Sequence, residues 1–277
     1  MGKGNIIGKP NDPTTSVASG VWSLRENFLA VKNNRWPAVF SWGPAYGGWN
    51  GQRILFSTIS DDSGSTSYNG LDGTLDSATQ RLYDGYMGGG TPGYRTGGFY
   101  GWTTNTSLPA PASSDGRSST IAYVNGVGYL YIGNVDRTVD IYLLSNLSFV
   151  TTWNLTLHLA NQCSGLAWDG TGILFTELNG NFVKKIANAN PGITPSVSTI
   201  VNTLVTPTGF GLKYNATSAF YRGDNSASAY EVSLSTGALL QSFSAANAGY
   251  GIALDYANKK LYLGGFLNTT MRRFSGT

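Results

Sequence analysis

An all-β fold of repeated four-stranded units, a β-propeller of five or six blades, is what the sequence predicts, and three observations predict it. The first is the residue mix. The 277 residues include 37 Gly, 13% aromatic residues and only 12% charged ones, about half the usual charged share. Gly, Ser, Thr and Asn favour turns over helix, and Tyr and Trp suit pleated faces. The second is a repeated start: Gly165-Leu-Ala-Trp-Asp, Gly211-Leu-Lys-Tyr-Asn and Gly251-Ile-Ala-Leu-Asp-Tyr, with Ser119-Thr-Ile-Ala-Tyr-Val as an earlier version. The third is spacing. The three glycines stand 46 residues apart (165 to 211) and then 40 (211 to 251), and four strands per roughly 40–50 residues is the arithmetic of a propeller blade. A two-sheet sandwich also spaces strands evenly, but it has no reason to repeat the same Gly start three times.

Taken in order, residues 1–37 differ from the rest. Gly4 to Ser19 is a polar arm with prolines and no apolar period. Ser23 is placed as an N-cap before Leu24, with Glu26 at the third helical position, which predicts a helix over about residues 24–32. Asn33-Asn34 ends it, and Trp36-Pro37 turns the chain into an extended segment. So short a helix is marginal alone, so its apolar side needs the propeller body or a neighbouring subunit.

In residues 38–117, Arg53-Ile-Leu-Phe-Ser-Thr-Ile and Gln80-Arg-Leu-Tyr-Asp-Gly-Tyr are strand-like, set among the Gly/Ser-rich stretches Asp61 to Thr66 and Gly88 to Gly101. They predict one or two divergent blades. From about residue 118, each Gly or Ser start leads through a turn to a second strand (Tyr129 to Gly133, Ile173 to Glu177, Ala219 to Gly223, Leu261 to Gly265). A third follows with period-2 alternation (Val139 to Leu143, Phe182 to Ile186, Ala229 to Leu234, Met271 to Phe274). Phe149 to Trp153 and Leu239 to Phe243 add clear fourth strands, and Ser198 to Val201 a weaker one. The last unit stops after its third strand, which predicts ring closure by an earlier strand, placed within Ala38 to Trp42.

The chemistry is sparse. Net charge is +3 with no basic run, so the pairs Lys184-Lys185, Lys259-Lys260 and Arg272-Arg273 read as edge or surface charge and nucleic acid is not an expected partner. The single cysteine, Cys163, allows no intrachain disulfide and reads as a small half-buried side chain. Met1 to Pro13 lacks an apolar signal core and no stretch reaches membrane-span length, which predicts a soluble protein made in a cytoplasm. His158, the only histidine, lies in an alternating segment and reads as a half-exposed strand residue; a triad or a metal cluster has little to draw on, so neither metal nor cofactor is expected. Asp61, Asp62, Asp72 and Asp76 sit among Ser, Gly and Asn and read as turn residues, with paired carboxylates for glycan cleavage as the alternative. The Gly-rich run from Gly88 to Trp102 has two readings. Tyr94, Phe99, Tyr100 and Trp102 could stack on sugar rings with Arg95 bonding hydroxyls, or the run is a long loop packed on the body or a neighbouring subunit.

Two resemblances carry the reading further. Gly251 through Phe274 resembles a blade of the broad NHL/YVTN-type propellers, with residues 165–188 and 211–243 as degenerate copies. That likeness covers about 120–277 and implies fold only. The N-terminal run Asn5-Ile-Ile-Gly … Ser16-Val-Ala-Ser-Gly-Val-Trp-Ser-Leu-Arg-Glu … Asn34-Arg-Trp-Pro resembles the opening of tail-fibre and other virion structural proteins of tailed phages. It implies a portable anchor, residues 1–37, in which Ser19, Gly20, Trp22, Ser23, Leu24, Phe28, Trp36 and Pro37 fasten a displayed domain, residues 38–277, to the particle. The other reading of Trp22 and Trp36 is as core residues of an N-terminal cap. The implied function is a non-enzymatic virion structural protein, a tail fibre or receptor-binding component. Its implied partners are other virion proteins, a host surface glycan or envelope protein, and further copies of itself, a trimer being expected. Architectural capsid or tail decoration is one alternative and a polysaccharide depolymerase a second.

Overall fold

The computed structural model describes residues 53–59, 72–76, 79–86, 92–96, 105–109, 115–223, 228–244, 251–256, 258–265 and 268–277, all within the unit Pro44–Thr277. The expected arm, the helix over 24–32 and its eight anchoring residues lie outside them. The described residues are all-β and contain no helix.

Three four-stranded antiparallel sheets follow one another along the chain among the described residues. The first is β5 (Gly116–Val124), β6 (Val127–Asn134), β7 (Thr138–Leu143) and β8 (Phe149–Asn154). The second is β9 (Cys163–Trp168), β10 (Ile173–Glu177), β11 (Val183–Ile186) and β12 (Val197–Val201). The third is β13 (Thr208–Asn215), β14 (Ser218–Gly223), β15 (Ser228–Ser233) and β16 (Leu239–Ser244). Local sequence explains the hairpins. Asn125 and Gly126, with φ of 52° and 80°, supply the two left-handed residues of a tight turn whose twist matches that of β5 and β6.

The remaining strands form a seven-stranded sheet. On one side are β1 (Asp72–Asp76), β2 (Arg81–Asp84), β3 (Gly93–Thr96) and β4 (Asn105–Ser107); on the other are β17 (Gly251–Asp255), β18 (Lys260–Gly265) and β19 (Asn268–Ser275). The two sides join where β1 pairs with β17 in parallel, Asp72 opposite Ile252. Beyond β19, Phe56 bridges Gly276, and Leu55 exchanges backbone hydrogen bonds with Thr277 at 3.4 and 2.9 Å. An early segment therefore does complete the last unit, but it is residues 53–57; Ala38 to Trp42 lies outside the described residues.

The first strands β1, β5, β9, β13 and β17 make a closed circuit, each lying against the next and β17 against β1. Two of the repeated glycines, 165 and 211, are explained by this circuit. A Cβ on Gly165 would sit 2.8 Å from Leu212 Cβ of the next first strand, and one on Gly211 would sit 2.0 Å from Ile252 Cγ2. Gly211 also holds φ of +99°, a conformation that L side chains avoid. Gly211→Ala is expected to lower stability by about 2–3 kcal/mol through overpacking and backbone strain together; unchanged urea unfolding would contradict that account of the repeat.

Apolar layers fill the spaces between successive sheets. Tyr131 and Trp153 meet Leu166 and Phe175; Leu174 and Val183 meet Leu212 and Tyr221; Phe220 and Phe243 meet Leu261, Phe274 and the closing residues Ile54 and Phe56. Burying one such side chain fully is worth about 1.5–3 kcal/mol, and the layers lock each sheet to its neighbours.

Candidate functional site

Where the first strands converge, a polar cluster spans four of them. Asp72 of β1 is fully buried, and its carboxylate pairs with Lys213 Nζ from β13 and accepts from the Leu166 amide of β9 at 3.3 Å. Ser119 of β5 donates its hydroxyl to the Asp72 carbonyl at 2.9 Å and to the Tyr83 carbonyl at 3.0 Å. The Ser119 carbonyl in turn accepts from Thr74 Oγ1 at 2.8 Å and from Lys213 Nζ at 3.3 Å. Lys213 is only 6% exposed. Burial pushes the Asp72 carboxyl up to about 7, against the downward pull of Lys213 and of the Leu166 amide, while the nearby Asp84 adds to the rise. Chemically, this is a carboxyl that holds or releases a proton near neutrality beside a buried ammonium. Mechanically, it ties β1, β5, β9 and β13 together across the circuit.

A second cluster fastens the closing segment. Arg53 meets Glu231 of β15 with two bonds, Nε at 2.8 Å and Nη2 at 2.7 Å, and the carboxylate holds the Arg53 guanidinium above its ordinary range. Asn215 of β13 grips Ile54 from both sides, accepting from its amide at 2.8 Å and donating to its carbonyl at 2.8 Å. Glu231 is fully buried and also accepts from Asn215 at 3.1 Å, from Gln241 at 2.7 Å and from Ser218. In the first sheet Asp140 is buried on β7 and bonded to Asn134 at 2.8 Å and Thr152 at 2.6 Å.

The residues singled out by sequence fall as follows. Tyr94 and Arg95 lie on strand β3, not on a loop. The Tyr94 ring packs 5.6 Å from Tyr83 under the Arg81 guanidinium, and Arg95 is buried. Phe99, Tyr100 and Trp102 are outside the described residues, as are Asp61 and Asp62. Asp72 and Asp76 are buried strand residues rather than turn residues, because β1 sits in the interior of the seven-stranded sheet. Cys163 is fully buried, not half-buried, and burial pushes its thiol up to about 12. His158 is half-exposed but stands in a turn after β8, its carbonyl accepting from Lys184 Nζ. Among the described residues no group of three His, Cys, Asp or Glu could hold a metal ion, and no helix is long and apolar enough to cross a membrane. Sequence reading missed Lys213 and Glu231 as buried charges.

No family model and no curated protein matches the chain. Among solved structures it is similar to the crystal structure of Myxococcus xanthus glutaminyl cyclase, with a TM-score of 0.54 at 10% identity, over 82% of this chain and 99% of that one. The body of this chain is β-propeller-like. At such identity the likeness is one of fold and carries no activity with it. The crystal structure of a mitotic checkpoint complex also matches, with a TM-score of 0.47 at 12% identity, over 76% of this chain and 63% of that one.

Proposed function

We propose that this chain is a phage virion structural protein whose residues 38–277 form a five-bladed β-propeller displayed as a receptor-binding or adhesion component, with residues 1–37 as arm, short helix and particle anchor. The observation that carries the reading is that the buried charges at the centre are engaged in holding strands together: Asp72 is 0% exposed and ties β1 to β9 and β13. Such a body presents surfaces and works without catalysis. The blade number is supported by the three four-stranded sheets and by the division of the seven-stranded sheet at its parallel β1–β17 pair, where residues 53–57 supply the last unit's fourth strand. The anchoring role is supported by the resemblance of Ser19-Gly-Val-Trp-Ser-Leu and Trp36-Pro37 to phage tail-fibre openings. The propeller's outward partner is a host surface glycan or envelope protein, and the assembly is a homo-oligomer on the virion.

The test is immunogold labelling of purified particles with antibody raised against residues 38–277. Label at the tail tip or fibres is the expected result. Label spread over the capsid would replace adhesion by decoration, and no label on intact or opened particles would remove the virion reading.

A further inference from the structure

The outer strands β8, β12 and β16 contain not one charged residue: Phe-Val-Thr-Thr-Trp-Asn, Val-Ser-Thr-Ile-Val and Leu-Leu-Gln-Ser-Phe-Ser. Edge strands ordinarily guard their free backbone groups with charge or proline. The β8 edge has a second wall. Residues 191–195 of the following sheet run beside it and leave a groove of about 490 Å³, lined by Val150, Thr152 and Asn154 on one side and Pro191, Ile193 and Pro195 on the other.

The register shows which groups face that groove. Arg137 and Leu155 are opposite each other and hydrogen-bonded, Leu155 N–H to Arg137 O at 3.0 Å. Alternation along an antiparallel pair then turns the N–H and C=O of Trp153 toward β7 and those of Thr152 and Asn154 away from it. Among the described residues no backbone partner takes up Thr152 or Asn154. The opposite wall is fixed by donors from the first sheet. Tyr131 Oη bonds the Ala189 carbonyl, Trp153 Nε1 bonds the Pro191 carbonyl at 3.3 Å, and the Asn190 side chain closes the turn by accepting from Gly192 N–H at 3.0 Å.

We propose that this groove binds an extended, uncharged peptide strand of a partner protein, which adds to the edge of β8. Two features select that occupant. The outward N–H and C=O groups of Thr152 and Asn154 repeat at the two-residue spacing of a strand, so a strand satisfies them in order. None of the lining residues is ionisable, so a charged occupant would lose hydration without gaining a counter-charge, whereas a neutral strand has no charge to desolvate and its peptide groups regain hydrogen bonds at the edge.

The probe is a capped peptide of alternating Thr and Val, titrated into the full chain while amide hydrogen exchange is followed. The expected result is at least tenfold slower exchange at Thr152 and Asn154, abolished when alternate peptide amides are N-methylated. Thr152→Pro removes one outward donor and leaves the β7 ladder bonds in place but also deletes the hydroxyl that bonds buried Asp140, so Thr152→Val, which loses that hydroxyl alone, is its control: the valine variant is expected to keep the protection at Asn154 and the proline variant to lose it; Ile193→Lys, which puts a charge in the groove, is expected to weaken binding as well. No protection at millimolar peptide, equal binding of the N-methylated peptide, or protection by a neutral oligosaccharide but not by the peptide would each overturn the proposal.

Discussion

Replacing Glu231 with Ala is expected to lower stability by about 3–5 kcal/mol, the usual cost of breaking a buried charged pair, and to move thermal unfolding down by roughly 10 °C. The magnitude follows from what the carboxylate holds. It receives Arg53 through two bonds and Asn215, Ser218 and Gln241 through one each. Without it, the buried donors of Asn215 and Ser218 lose an acceptor that water cannot replace, at about 1–3 kcal/mol for a buried group left unsatisfied. Asn215 also clamps Ile54, so its loosening weakens the contact of residues 53–57 with β19 and exposes the apolar layer of Ile54, Phe56, Phe220 and Phe274. Arg53→Met should cost less, because the Arg53 side chain is 29% exposed and Glu231 keeps three other donors. Urea unfolding of the three proteins decides the point. Equal losses for both variants would mean that the ion pair alone, and not the wider cluster, closes the ring.

How much of this was legible in the sequence depended on whether the cause was local. The strands of residues 118–277 were legible because period-2 alternation and turn residues act over a few positions, as at Asn125-Gly126 between β5 and β6. The Gly starts at 165 and 211 were visible as a pattern, but their reason, close approach to Leu212 and Ile252, belongs to the packed circuit. The closing role of residues 53–57 was not recognised for the same reason. Residues 53–57 carry one short apolar signal, and their partners Asn215, Glu231 and Gly276 are distant in sequence. Asp72 read as a turn residue because its neighbours are Gly and Ser; burial came from β1 being flanked by β2 and β17. Charges in alternating strands read as solvent-facing, which hid Lys213 and Glu231. Of the expected ligand-binding residues, Tyr94 and Arg95 belong to a short strand whose surroundings are Gly-rich, where composition signals loop regardless of pairing.

Lys213→Met is the second large effect, and its signature is dependence on pH. In the parent protein burial raises the folded Asp72 carboxyl to about 7, against 3.8 for a free carboxyl. Between those values the folded chain keeps a proton that the unfolded chain has released, so the contribution of this group to stability falls as pH rises through the window and is level above it. Removing Lys213 takes away the cation that pulls the carboxyl down, and the Leu166 amide alone cannot compensate for full burial. The window therefore extends upward. At about pH 5 the variant and the parent should differ little, since both hold Asp72 protonated; by about pH 9 the variant should be less stable by about 3 kcal/mol or more. Combining Lys213→Met with Asp72→Asn removes the titrating group, so the double variant should lose the pH slope and recover most of the stability at high pH. Chemical unfolding of the three proteins at both pH values measures this directly. A deficit of the same size at both would assign the effect of Lys213 to packing and leave the ion pair no part in holding β1 to β13.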